Sequence, residues 1–143
     1  MMPFSAIIAV LLLLAIALVH LLWALGSSWP VGDEKTLART VVGSKDIQKM
    51  PPRLASLGVA IVLTAAAHIV LASGGLMPGI LLPRMYQILL VAMILVFSAR
   101  GLVAYMSFWR ELVPEQPFAR LDQRIYAPLC LLIAALLLDV ALT

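Results

Sequence analysis

Four long apolar stretches, separated by segments rich in charge, glycine and proline, dominate the chain: Phe4 to Leu25, Leu54 to Ala72, Met85 to Met106 and Tyr126 to Leu142. At about 1.5 Å of rise per residue, each crosses all or most of a hydrocarbon core of about 30 Å. The pattern predicts an all-α fold, a polytopic transmembrane four-helix bundle forming a single transmembrane domain over residues 1–143, with helices at about 4–25, 54–72, 85–106 and 126–142. In the first connection Trp29-Pro30 closes the first span. Asp33 then caps a short interfacial helix over about 33–42, with an apolar edge of Leu37, Val41 and Val42 and a stop at Gly43. Pro51-Pro52 forbids helix before Arg53 and sets the start of the second span. The second connection, Ser73 to Arg84, is rich in Gly-Gly and Pro-Gly turn formers and reads as a plain turn.

Composition turns this pattern into a membrane assignment. The 143 residues are 64% hydrophobic and 12% charged, with a mean hydropathy of +1.09, whereas soluble domains carry roughly a quarter charged residues. The connections are too short to bury a core of their own, so no soluble catalytic or nucleic-acid-binding domain fits. The sequence pI near 9.4 reflects basic residues beside apolar spans, where lipid headgroups account for them, and no nucleic-acid partner is expected. Eight of the ten Lys and Arg lie in the first and third connections, against Arg84 alone in the second. The positive-inside rule then puts those two connections in the cytoplasm and both termini outside. The first span lacks a basic leader and is longer than a signal-peptide core, so it is expected to persist as a helix, although Ala24-Leu25-Gly26 loosely resembles a cleavage site. Trp23, Trp29, Phe108, Trp109 and Tyr126 mark an aromatic belt on the cytoplasmic side.

Ionisable side chains at bilayer depth demand a reason, and four stand out: His20, His68, Arg100 and Asp139. Counting residues from the helix ends places His20 and Arg100 near the cytoplasmic boundary and His68 and Asp139 toward the outer one. Depth alone therefore predicts two polar layers, His20 with Arg100 and His68 with Asp139. Trp23 lies one turn from His20 on the same helix face. Arg100 either snorkels to headgroups or holds a carboxylate, an anionic headgroup or a quinone oxygen. His68 falls on a small and polar stripe with Ser56, Ala60, Thr64 and Ala72, which favours a packed histidine, and Asp139 reads as an interfacial residue or a proton-relay partner of His68. Asp122, between Arg120 and Arg124, reads as a locally paired loop residue.

Other chemistry finds little support. Cys130 is the single cysteine and has no neighbouring base. Metal-ligand spacing, a phosphate-binding glycine loop and a serine elbow are all missing from the sequence, so neither metal nor cofactor is expected. A haem between His20 and His68 is disfavoured because the two differ by roughly 10 Å in depth.

Three segments carry a resemblance: His20-Leu-Leu-Trp23-Ala-Leu-Gly26; Phe97-Ser-Ala-Arg100-Gly101 with Tyr105; and Phe118-Ala-Arg-Leu-Asp122-Gln-Arg-Ile-Tyr126-Ala-Pro128-Leu-Cys130. Over nearly its whole length the chain resembles a family of small four-helix bacterial membrane proteins without assigned activity, domain of unknown function 3995. The resemblance implies the architecture and a set of residues, His20, Trp23, Gly26, Arg100, Tyr105, Asp122, Tyr126 and Pro128, but no reaction. The expected function is a noncatalytic accessory subunit or a lipid- or partner-binding bundle acting through Arg100, His20 and Trp23. The alternative is a small membrane enzyme or oligomeric transporter using an intramembrane His/Arg site. Membrane lipids are the expected partners, with a homo-oligomer or a larger membrane complex as further options.

Overall fold

The computed structural model describes residues 2–143, with side chains from Phe4 onward. The chain is all-helical among the described residues. It runs α1 (Met2–Ala24), α2 (Glu34–Val41), α3 (Arg53–Ser73), α4 (Pro83–Val103), α5 (Ser107–Leu112) and α6 (Phe118–Leu142). Helices α1, α3, α4 and α6 are long and apolar enough to cross a membrane. At most 33% of any span's apolar stretch is buried inside the bundle, so the remaining faces need apolar surroundings.

The helix ends follow from local chemistry. Helices α1 and α3 each close with a paired hydrogen-bond cap around a left-handed glycine. Ser27 N–H reaches Leu22 O beside Gly26 at φ +92°, and Leu76 N–H reaches Leu71 O beside Gly75 at φ +70°. Asp33 caps α2 as its position predicts: its carboxylate accepts the Thr36 N–H at 2.9 Å and the Thr36 hydroxyl at 2.7 Å. Those bonds hold the carboxyl below its ordinary value.

Two span boundaries differ from the sequence reading. Helix α4 ends at Val103, short of Met106, because the chain turns there and re-forms as α5. Helix α6 begins at Phe118 where the apolar pattern suggested Tyr126; its first two turns keep Arg120, Gln123 and Arg124 exposed and bury Phe118 and Asp122. At Asp122–Tyr126 the helix widens to a π-turn, closed by the Ala127 N–H on Asp122 O. Pro128 follows directly, and its ring cannot share an ordinary turn with the Arg124 carbonyl four residues earlier.

The spans form a ring in which α1 packs on α3 and α6, and α4 packs on α6 and less extensively on α3. Consecutive spans are therefore neighbours, while α1 and α4 stand on one diagonal and α3 and α6 on the other. The apolar core fills the half of the bundle near the termini: Ala6, Ala9 and Leu13 of α1 meet Ala67 and Val70 of α3 and Ile133 and Leu137 of α6. The opposite half, where the first and third connections lie, is where the polar side chains gather. Helices α4 and α6 come closest at Gly101, where a Cβ would stand 2.5 Å from Leu131 Cγ and 3.1 Å from Ala127 O. Gly101→Val is expected to force these helices apart and lower stability by about 1–3 kcal/mol, read as a fall in thermal unfolding temperature in mild detergent; an unchanged temperature would show that the approach is not needed.

Candidate functional site

The connection end is organised around Asp122, which is fully buried. Its position in the π-turn of α6 points the carboxylate at α4 and α5. Oδ1 accepts Arg100 Nη2 at 2.6 Å. Oδ2 accepts Trp109 Nε1 at 2.9 Å and also an Nη2 hydrogen bond from Arg110. Arg110 in addition donates through Nη1 to Ala119 O at 2.8 Å, and the Arg100 guanidinium carbon lies 5.4 Å from the centre of the Trp109 ring. Two arginines share one carboxylate, so the cluster keeps a net positive charge. Arg100 Nη1 and Arg110 Nε are buried without a hydrogen-bond partner.

A second set of contacts ties the third connection to the first. Tyr126 donates its hydroxyl to Thr40 O at 3.0 Å, and its ring lies 5.8 Å from that of Phe118. Phe118 packs so closely on Gly43, at φ +73°, that no Cβ fits there. Glu115 accepts from Arg39 Nε at 3.0 Å and from the Asp46 N–H at 3.2 Å, while its own N–H bonds Gly43 O at 3.1 Å. Tyr105 donates to Gln123 O at 2.8 Å. Arg100, Tyr105, Asp122 and Tyr126 are thus gathered at one end of the bundle.

The layers expected from depth do not assemble. His20 donates Nδ1–H to Ile16 O at 2.9 Å and stands 4.8 Å from the Trp23 ring. Trp23 in turn donates to Trp29 O at 2.8 Å. The His20–Trp23 neighbourhood is therefore present, but Arg100 is engaged by Asp122, because α1 and α4 lie across the ring's diagonal. The same geometry separates His68 on α3 from Asp139 on α6. His68 meets Met77 Sδ at 3.2 Å through Nδ1 and the Tyr86 hydroxyl at 3.5 Å through Nε2. That hydroxyl also accepts from Ile80 N–H at 2.8 Å and from Leu81 N–H at 3.3 Å, so the second connection is pinned to α3 and α4 and is more than a plain turn. Asp139 accepts from Ser5 Oγ at 2.6 Å, across to neighbouring α1. Asp122 is likewise corrected from a loop residue paired with Arg120 or Arg124 to a buried acceptor for Arg100, Trp109 and Arg110. Sequence reasoning placed Trp109 in an aromatic belt and gave Arg110 no role. The available signal was the adjacent Trp-Arg pair followed by two prolines, Pro114 and Pro117, which return the chain toward Asp122.

Two cavities lie on the α1–α3 side of this end. One is a recess of about 110 Å³ lined by Trp23, Gly26, Glu34, Leu37, Arg53 and Ser56 among others, several times the ~10–15 Å³ that one water requires. The Arg53 guanidinium lies directly over Gly26, where a Cβ would come within 2.6 Å of Nη2. The other is an open apolar groove of about 430 Å³ between α1 and α3, walled by Leu14, Ala17, Leu21, Leu57, Ala60 and Thr64 with their neighbours. Ser56 borders the recess and Leu57 the groove, so the two adjoin along α3.

The Tyr126 hydroxyl is the direct bond between α6 and α2. Tyr126→Phe is expected to reduce stability by about 0.5–1.5 kcal/mol and to speed amide exchange at Thr40 to Gly43, leaving exchange in the apolar core unchanged; equal protection at Thr40 to Gly43 in both proteins would show that the bond does not hold the first connection.

No curated protein and no solved structure matches the chain. A family pattern described as protein of unknown function (DUF3995) matches residues 13–137, which takes in the second half of α1, all of α2 to α5 and α6 as far as Leu137, with both the Asp122 cluster and the α1–α3 recess. The chain belongs to the DUF3995 family.

Proposed function

We propose that this protein is a noncatalytic lipid-binding bundle of the bacterial cytoplasmic membrane, oriented with the first and third connections inward. The observation that carries the reading is the open apolar groove between α1 and α3 that adjoins a polar recess beside Arg53. An acyl chain fits the first environment and a headgroup phosphate the second. Along α3, Arg53, Ser56, Leu57, Ala60, Ile61 and Thr64 follow helical spacing on one face. Eleven steps of 1.5 Å make that face about 16 Å long, close to one leaflet of a core about 30 Å thick. Lipid recognition thereby moves from Arg100, which Asp122 engages, to Arg53, whose guanidinium has no carboxylate partner among the described residues.

The alternative of an enzyme or transporter working through His20 and Arg100 draws less support. The two residues sit on diagonal helices, and the Arg100 guanidinium is committed to Asp122. A role as an accessory subunit is compatible with lipid binding, the lipid then filling the α1–α3 groove within a larger assembly.

Gently extracted protein is expected to retain phospholipid in native mass spectrometry. Thr64→Phe, which places a ring in the groove from an exposed position, is expected to cut the lipid-bound fraction by about fivefold, a loss of roughly 1 kcal/mol. Folded wild-type protein that carries no lipid, or a dimer mass without lipid, would overturn the reading, the latter in favour of a second copy's helix in the groove.

A further inference from the structure

Arg53 and Glu34 line the same recess, yet they form no ion pair with each other or with any other described residue. Opposite charges that share a cavity without closing on one another leave an acceptor and a donor set apart in space. Glu34 comes from the first turn of α2 and accepts the Met50 N–H at 3.2 Å through Oε1, leaving Oε2 without a partner among the described residues. Arg53 comes from the start of α3, packed over Gly26. Between them Ser56 is 8% exposed, and its hydroxyl does not bond back to the preceding turn as those of Thr40 and Thr64 do. The recess thus offers cationic donors, a neutral hydroxyl and a carboxylate, with apolar walls leading away from it.

We propose that this recess selects a zwitterionic phospholipid whose headgroup carries a primary amine beside its phosphate, over an anionic phospholipid without an amine. The proposal rests on the lipid-binding reading above and names its ligand class. Arg53 and Ser56 donate to the phosphate oxygens, as a guanidinium and a hydroxyl do for phosphate generally. Glu34 accepts from the ammonium group. A headgroup of glycerol or a second phosphate would instead put uncharged or negative atoms against Glu34, losing one attraction or adding a repulsion. The acyl chain attached to the phosphate runs from Ser56 along Leu57, Ala60 and Thr64, the only polar side chain on this stretch being Thr64, whose hydroxyl is already donated to Ala60 O at 2.8 Å.

The test uses the full chain in mild detergent, offered equal amounts of phosphatidylethanolamine and phosphatidylglycerol with identical acyl chains and read by native mass spectrometry. Wild-type protein is expected to carry the ethanolamine lipid about fivefold more often, the scale of one partly exposed charge pair. Glu34→Gln keeps an oxygen for the Met50 N–H, so the fold is retained; its expected effect is to bring the preference below about twofold while total bound lipid persists. Arg53→Gln is expected to reduce binding of both lipids alike. Equal or inverted preference in the wild type, or a preference unchanged in Glu34→Gln, overturns the headgroup assignment and leaves lipid binding standing. Absence of bound lipid from folded wild-type protein overturns both.

Discussion

A carboxylate with no exposure, placed at the head of a membrane-spanning helix, has to be neutralised by the protein itself, and Asp122 sets that demand here. Its partners come from two other parts of the chain, Arg100 from the last turn of α4 and Trp109 and Arg110 from α5, while α6 presents the carboxylate. Meeting the demand fixes where α4 must end, where α5 must lie and how α6 must enter the bundle. The π-turn and the close Gly101 contact sit on the same boundary between α4 and α6. Removing one partner of such a buried pair is expected to cost about 3–5 kcal/mol, because the other charge stays buried.

The first connection joins this arrangement at second hand. Tyr126, four residues after Asp122, reaches Thr40, and Glu115, seven residues before it, gathers Arg39 and the backbone at Asp46. The ends of α1 and α3, where Gly26 and Arg53 meet, therefore lie beside a tied assembly of connections. The two halves of the bundle differ accordingly. Near the termini, alanine, leucine, valine and isoleucine side chains pack into an apolar core; near the connections, α1 and α3 border a groove and a recess. A ligand site is economical in the second half, since polar groups are already present there and no packed core has to be opened.

Much of this was legible from residue order. Four apolar stretches gave the spans, Asp33 gave the cap of α2, and the spacing of His20 and Trp23 gave their contact. Relative height along the bundle could be counted from the constant rise per residue, although the end of the third span and the start of the fourth were misplaced. The partners were not legible, because depth says nothing of rotation or of ring order. In an antiparallel ring the first and third spans are diagonal, as are the second and fourth, so residues matched by depth on those helices do not meet. Arg100 and Asp139 instead find Asp122 and Ser5 on adjacent helices. Asp122 was hidden for a different reason: its flanking arginines made it look solvated, and only the return of the chain through Pro114 and Pro117 brings Trp109 and Arg110 over it.

The central claim is that Arg100 and Asp122 act as a unit. A double-mutant cycle with Arg100→Met, Asp122→Asn and the combined variant, followed by unfolding in mild detergent, measures that directly. The account predicts that the combined loss falls short of the sum of the single losses by about 1–3 kcal/mol; losses that add to within about 0.5 kcal/mol would contradict it.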